Sequence, residues 1–442
     1  MTLNEIFNEK VTENGDVSFS KVGDNVMLNI LFLTEYYQKH LSELPNLGNS
    51  NLEQLFSMFI RDPRFGLGRR DLGRVLMMNT QCSIEQILKA GRVDDLFCLP
   101  ECFLVWDYLK KEIENGNELV KKWMPRYSSK NLMLARKIAK YWDMNKQQYG
   151  KFIKCNTVEQ NLSRKETDKI KFEHVPSLAM LKYANRFATG SDTKDRYDKY
   201  LEDVKSGKKD LKVSTTTVYD VYKNMENIDA DVFFDKLEKI KVNCIPVVDT
   251  SGSMWDSNDS MGKALSVGHY LAKCSTYCPN KVVSFSSRPQ LSTLGVTPPK
   301  LTCCSHKAES WWESESQYKK EIASMYTGDC SNTDFGAVMD LLSKLDGDMP
   351  EYLVVLSDME FDYGSKMSKD ATMKLFKKKG YKTRIIWWNF NSRNVTCPEM
   401  DSDGNIFLSG YNPMLLKYLE AGFNGEEFLR ILLNNYAKAL LG

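Results

Sequence analysis

Two hydrophobic textures divide the chain. Between residue 25 and about 240, apolar positions recur every three or four residues with charged positions between them, a period that predicts amphipathic helices. The pattern places helices over 25–44, 52–60, 84–99, 102–123, 132–144, 177–187, 216–225 and 231–239, broken at Pro63, Pro125 and Gly150. Helices in series without an exact repeat fit a helical-pair solenoid whose repeats have diverged. After residue 240, short apolar runs at 242–248, 281–285, 352–356, 383–388 and 406–408 read as buried strands. Helical patterns at 262–273, 317–325, 335–345, 369–378 and 414–419 lie between and after them, and a last helix is expected over 426–441. Strands alternating with helices predict crossover connections and a mostly parallel, doubly wound sheet. The expected fold class is therefore α + α/β: an α-helical repeat domain over 1–238, then a Rossmann-like domain over 239–442. The cleanest compositional break between them is the polar stretch 206–214.

The first strand of the second half runs into Asp249-Thr250-Ser251-Gly252-Ser253, an Asp-x-Ser-x-Ser segment at its carboxyl end. Open α/β sheets bind ligands at that edge. Alternate residues of an extended turn point the same way, so one carboxylate and two hydroxyls can meet at one point. Thr333, in a loop entering a helix, and Asp358, ending a later strand, add two more oxygen donors. Hard oxygen donors suit a divalent cation, Mg²⁺ first, with Mn²⁺ or Ca²⁺ as alternatives. One Asp-x-Ser-x-Ser alone is common in turns; five such residues, each ending a strand or opening a helix, form a constellation.

In this order the five residues resemble the metal-ion-dependent adhesion site of the von Willebrand factor A family. The resemblance implies that Ser251, Ser253 and Thr333 coordinate the ion directly or through water. Asp249 and Asp358 would mostly hold its waters, and one position would stay open for an acidic group of a protein partner. Met124-Pro125-Arg126-Tyr127, His174-Val175-Pro176-Ser177-Leu178 and Ser357-Asp358-Met359-Glu360-Phe361-Asp362 extend the likeness to an uncharacterised family of viruses, plants and fungi. That family is similar to the TROVE proteins, the Ro ribonucleoprotein autoantigens, in which a HEAT-like helical ring is joined to a von Willebrand A domain. The segment 61–74, with Gly66 and Gly68 among its arginines, resembles a glycine-basic segment of those rings. A ring-forming helical half and RNA binding are what this resemblance implies.

Composition changes the picture only locally. A chain of 442 residues exceeds what one core usually serves, and 42% hydrophobic with 27% charged residues excludes a disordered protein. The net charge of +2 says nothing about partners, yet residues 121–190 hold sixteen Lys or Arg against five Asp or Glu. Trp123, Tyr127, Tyr141, Trp142, Tyr149 and Phe152 interleave with those cations, the ingredients of single-strand recognition. Lys121, Lys122, Arg126, Lys130, Arg136 and Lys137 are the candidate RNA contacts. The bland alternative is a set of solvated helix faces over aromatic cores, which would leave a protein–protein scaffold. No apolar run approaches the roughly 18 residues of a membrane span, and the first residues lack a signal-peptide pattern. Eleven cysteines, an odd number, suit a reducing compartment, so an intracellular, cytoplasmic protein without a membrane partner is expected. Neither Cys274 with Cys278 nor Cys303, Cys304 with His306 has the second ligand pair that structural zinc needs.

The enzymatic rival is a haloacid-dehalogenase-type phosphatase with Asp249 as nucleophile and Asp358 and Asp362 holding magnesium. Such enzymes need a second Asp two residues on to protonate the leaving oxygen, and that position is Ser251. No glycine-rich phosphate loop with its lysine is present. His269 falls within a helical pattern and reads as packed or surface-exposed rather than catalytic. At least one of Trp387 and Trp388 should face the core, and Trp255 stands where it could wall the ion site. The expected function is non-catalytic binding: RNA on the helical half, an acidic partner at the metal.

Overall fold

The computed structural model describes residues 50–99, 103–300, 306–359, 380–391 and 404–424, apart from 64–65, 129–130, 330, 345–346 and 413, with only isolated residues outside these spans. The helices expected over 25–44, 369–378 and 426–441 lie largely outside the described residues, as do Lys130, Cys303, Cys304 and Asp362. The chain divides into two compact units, one centred on Tyr37–Thr215 and the other on Thr216–Phe428.

In the first unit short helices follow one another: α1 (Asn51–Arg61), α2 (Arg70–Asn79), α3 (Ile84–Ala90), α4 (Phe103–Glu114), α5 (Glu118–Trp123), α6 (Leu132–Tyr141), α7 (Lys146–Phe152), α8 (Val158–Ser163), α9 (Ser177–Thr189) and α10 (Lys194–Lys205). Local chemistry starts and stops them. Ser50 and Glu53 close a capping box on α1, Ser83 and Gln86 do so on α3, and Asn145 and Gln148 on α7. The apolar period over 102–123 resolves into two helices, because Gly116 takes φ +83° and Asn117 caps the second with bonds to the Leu119 and Val120 amides. Likewise α3 stops at Gly91, and a 3₁₀ turn, Val93–Cys98, replaces its expected continuation.

The glycine-basic segment turns inward. Asp95, 2% exposed, pairs with Arg61 at 2.7 Å and with Arg74, and accepts the Arg92 amide at 2.8 Å. Arg74 and Arg70 reach Asp94 at 2.7 and 2.8 Å. A side-chain carbon on Gly66 would strike the Phe59 carbonyl, and one on Gly73 would strike Arg61, so both glycines serve close packing. The segment is thus a structural charge network around Asp94 and Asp95.

The second unit opens with α11 (Val218–Asn224) and α12 (Ala230–Lys236), so these two helices, which precede the expected start of the α/β domain at 239, group with it in the compact unit. The reason is packing. Tyr219 donates to Asp259 at 2.7 Å, Trp311 donates its indole N–H to Glu226 at 2.5 Å, and Asp231 accepts the Tyr318 amide at 2.7 Å. There follow β1 (Cys244–Asp249), α13 (Ser260–Cys274), β2 (Lys281–Phe285), β3 (Gln290–Thr293), α14 (His306–Trp312), α15 (Gln317–Ala323), α16 (Phe335–Ser343), β4 (Tyr352–Ser357), β5 (Arg384–Asn389), β6 (Glu399–Met400), β7 (Ile406–Ser409) and α17 (Met414–Glu420). The sheet order is β3-β2-β1-β4-β5-β7-β6. β2, β1, β4, β5 and β7 run parallel, with antiparallel β3 and β6 at the edges. The helical first part and α/β second part therefore stand as expected.

Strands β1 and β4 are buried at every position, as strands covered on both faces must be. Ile245, Val247, Leu353, Val355, Ile385 and Trp387 pack on Phe335, Val338 and Met339 of α16. Trp388 is buried too, its indole donating to the Gly410 carbonyl at 2.8 Å. His269 lies wholly inside, 2.6 Å from Glu321, which Lys273 also reaches at 2.9 Å. Burial pushes the His269 imidazole below its usual range. The same burial opposes ionisation of Glu321, yet bonds and charge from His269 and Lys273 outweigh it and bring the carboxyl to about 2. No helix among the described residues is long and apolar enough to cross a membrane.

Candidate metal centre and nucleic-acid surface

β1 is the point where the strand order reverses, with β2 on one side and β4 on the other. Ligands of open α/β sheets bind in the crevice at such a switch point, beyond the carboxyl ends of the strands. Asp249 ends β1 there, fully buried. The register sets Val248 beside Leu356, which brings Ser357 alongside Asp249. The Ser357 hydroxyl donates to Asp249 Oδ2 at 2.6 Å, and the Ser251 amide donates to Oδ1 at 2.9 Å. Ser251 and Ser253 hydroxyl oxygens lie 3.1 Å apart in the turn that follows. Asp358, 5% exposed, comes directly after Ser357.

Thr333 reaches the same edge by way of β2. The Ser286 hydroxyl, just past β2, donates to the Asn332 carbonyl at 2.7 Å, and the Asp334 amide donates to the Ser286 carbonyl at 3.0 Å. Thr333 is held between those bonds, 4% exposed, with Asp334 capping α16 through the Ala337 amide. Thr250 fastens the neighbouring turn: its amide and hydroxyl both donate to the Phe285 carbonyl, at 2.8 and 3.0 Å, and its hydroxyl meets that of Thr327 at 2.9 Å. Asp329 bonds Ser287 and Ser331 and steadies the loop between Thr327 and Thr333. Sequence alone gives Ser357 and Thr250 no role beyond standing in their motifs, and it does not mark Ser286 or Asp329 at all. Only strand register reveals Ser357, and only the fold reveals the loop contacts.

The electrostatics fit a cation. Burial pushes the Asp249 carboxyl up to about 7; the Ser357 and Ser251 hydrogen bonds oppose that rise, and the Asp358 charge adds to it. A positive charge beside two carboxylates relieves both burial and like-charge costs. The donor set is two carboxylates and three hydroxyls, with no nitrogen or sulfur, which suits Mg²⁺, Mn²⁺ or Ca²⁺. Among the described residues no three His, Cys, Asp or Glu side chains form a metal cluster, so any ion here depends on the hydroxyls. Trp255, 51% exposed, stands at the rim with its ring 6.5 Å from Tyr326.

The candidate RNA residues separate into two groups. Lys121 pairs with Glu118 at 2.9 Å, Lys122 approaches Glu159 at 3.4 Å, and Arg126 donates to the Cys155 sulfur at 3.4 Å. Arg136 and Lys137 lie on the exposed side of α6. Of the interleaved aromatics, Trp142 and Tyr149 are buried, with the Tyr149 hydroxyl donating to the Pro125 carbonyl at 3.0 Å. Tyr141 is 40% exposed.

Residues 243–431 match a family described as a domain of unknown function (DUF7788), and residues 124–243 match another, also a domain of unknown function (DUF2828). An "Uncharacterized protein L728" of Acanthamoeba polyphaga mimivirus is 26% identical over 382 residues, a match taking in 74% of this chain and 63% of that one. The chain thus spans less than two thirds of that relative's length. Among solved structures, it is similar to the RO (RSR) protein of Deinococcus radiodurans, with a TM-score of 0.48 and 12% identity over 92% of this chain and 95% of that one. It is also similar to proximal thread matrix protein 1 of the mussel byssus, with a TM-score of 0.27 and 13% identity over 42% and 48% of the two chains.

Proposed function

We propose that the second unit is a von Willebrand A-type binding module that holds one divalent cation, Mg²⁺ first among the candidates, at Asp249, Ser251, Ser253, Thr333 and Asp358. The observation that carries this reading is the buried Asp249 carboxylate, tied to Ser357 and Ser251 at the switch point and followed by Asp358 one strand over. A bound cation supplies a Lewis-acidic position that attracts an anionic oxygen. This chain's own residues would anchor the ion and leave room for a carboxylate of a protein partner.

Chemistry at this edge is binding rather than turnover. Both Asp249 oxygens accept hydrogen bonds, and the position where a phosphatase keeps its general acid is Ser251. We read the first unit as a TROVE-like helical array, HEAT-like in its helical pairs, that holds RNA. The exposed cations of α6 support this part, while the paired Lys121 and Lys122 support it less. A protein scaffold without RNA is the alternative.

Two measurements test the proposal. Peptides bearing one Asp or Glu should be retained by the immobilised protein in Mg²⁺ and released by EDTA, whereas their Asn or Gln counterparts should pass through. A generic phosphomonoester should not be hydrolysed above the buffer rate. Metal-dependent turnover lost in Asp249→Asn would overturn the binding assignment.

A further inference from the structure

Two aromatic rings stand out of the first unit where packing does not require them. Phe103, opening α4, is 58% exposed and stacks on Tyr141 with centroids 4.8 Å apart and planes 17° from parallel. One exposed Phe means little; this pair is braced. Trp106, 5% exposed, sets its ring edgewise to both, at 5.5 Å from Phe103 and 5.4 Å from Tyr141. The Tyr141 hydroxyl is pinned by Asp107, donating at 3.0 Å to one carboxylate oxygen with the other at 3.1 Å. These contacts set both rings in place before any ligand arrives, which lowers the ordering cost of stacking on them.

Cations adjoin it. α6 buries Ala135, Ile138 and Ala139 and presents Arg136, Lys137 and Lys140 outward, with no carboxylate anywhere in the helix. Lys137 lies one helical turn before Tyr141, on the same side. Arg136 and Lys140 also line a cleft of about 430 Å³ with Tyr127, Lys146 and one carboxylate, Asp143. A flat apolar face beside a row of positive charges matches a nucleobase joined to its phosphate. A protein interface core would instead be depleted of charge.

We propose that Phe103 and Tyr141 form a base-stacking subsite for single-stranded RNA, with Arg136, Lys137 and Lys140 contacting the adjoining phosphates. This rests on the RNA reading above and narrows it from a broad basic window to one helix and one aromatic pair. Lys121 and Lys122, which belong to α5 rather than α6, fall outside the subsite.

The test uses the full-length protein and a fluorescein-labelled 12-residue oligouridylate, beside an abasic strand of equal length, followed by anisotropy at three salt concentrations. Removing one stacked base is worth on the order of tenfold in affinity. Phe103→Ala with Tyr141→Ala should therefore weaken oligouridylate binding about tenfold and leave the abasic strand unaffected. Tyr141→Phe keeps the ring and should stay near wild type. Lys137→Gln with Lys140→Gln should weaken both strands and flatten the log–log salt slope by about 1.4, at roughly 0.7 per contact. A strand carrying 5-iodouridine should photocrosslink to Phe103 or Tyr141 in the wild-type protein, a readout independent of how the variants fold. If the wild type binds but the alanine pair changes nothing and crosslinks map elsewhere, the subsite is wrong while the RNA reading stands. No binding of either strand at micromolar protein and low salt sinks both. A change of oligomeric state in the alanine pair, with RNA affinity intact, would make the patch a protein contact.

Discussion

Asp249→Ala is expected to lower divalent-cation affinity by at least about a hundredfold, the upper range for losing even an indirect metal contact, without unfolding the protein. Asp249 ends β1 at the carboxyl edge rather than filling the core, which is built from Ile245, Val247 and their partners. Its removal frees the fold from a carboxyl that burial pushes to about 7, and leaves the Ser251 amide and Ser357 hydroxyl short of an acceptor. These two effects oppose each other, so the metal-free melting temperature should move little. The variant should also fail to retain acid-bearing peptides in Mg²⁺. Isothermal calorimetry with Mg²⁺ and Mn²⁺ checks the affinity. Unchanged affinity would mean that the cation sits elsewhere or that Asp249 is only a turn cap.

The second large effect lies in the helical unit. Asp95→Ala should cost roughly 3–5 kcal/mol, because it leaves Arg61 as a buried cation without its counter-charge. The two side chains are 4% and 0% exposed, so water cannot take over the lost partner. Arg74 and the Arg92 amide lose an acceptor at the same site. At about 2–4 °C per kcal/mol for a unit of this size, the helical transition should fall by on the order of 10 °C in a calorimetric scan. A fall of less than about 2 °C would show that Arg61 finds solvent or another carboxylate when Asp95 is gone.

What the sequence discloses follows what local physics can encode. β1 and β4 are legible because strands buried on both faces must be continuous apolar runs, and the polar residues ending them stand out against that background. Gln290–Thr293 is not legible as a strand: it lies at the sheet edge with most positions half-exposed, so no apolar run marks it. The split of 102–123 into α4 and α5 is hidden because the apolar period continues across Gly116. The helical nature of 216–239 is legible, but which unit it joins depends on Asp259, Tyr318 and Trp311, residues 40 to 87 positions away in sequence whose contacts no local pattern records. Charge misleads in the same way. The arginines of 61–74 read as a basic segment, yet their carboxylates arrive with Asp94 and Asp95. Trp142 and Tyr149 count as interleaved aromatics in the sequence and prove to be core. Within the proposed metal centre, the five candidate donors could be named from strand ends and one helix start. Ser357, which bonds Asp249, needed the β1–β4 register.

Of the five proposed donors, Thr333 reaches this edge by way of β2, held there by the Ser286 bonds to Asn332 and Asp334. Titrating Mn²⁺ into the wild-type chain and into Thr333→Ala therefore asks most directly whether separate loops converge on one ion. The wild type is expected to show a single site per chain, and Thr333→Ala an affinity weakened roughly ten- to a hundredfold with unchanged circular dichroism. Equal affinity in the two proteins, or no binding by the wild type at millimolar Mn²⁺, would contradict it.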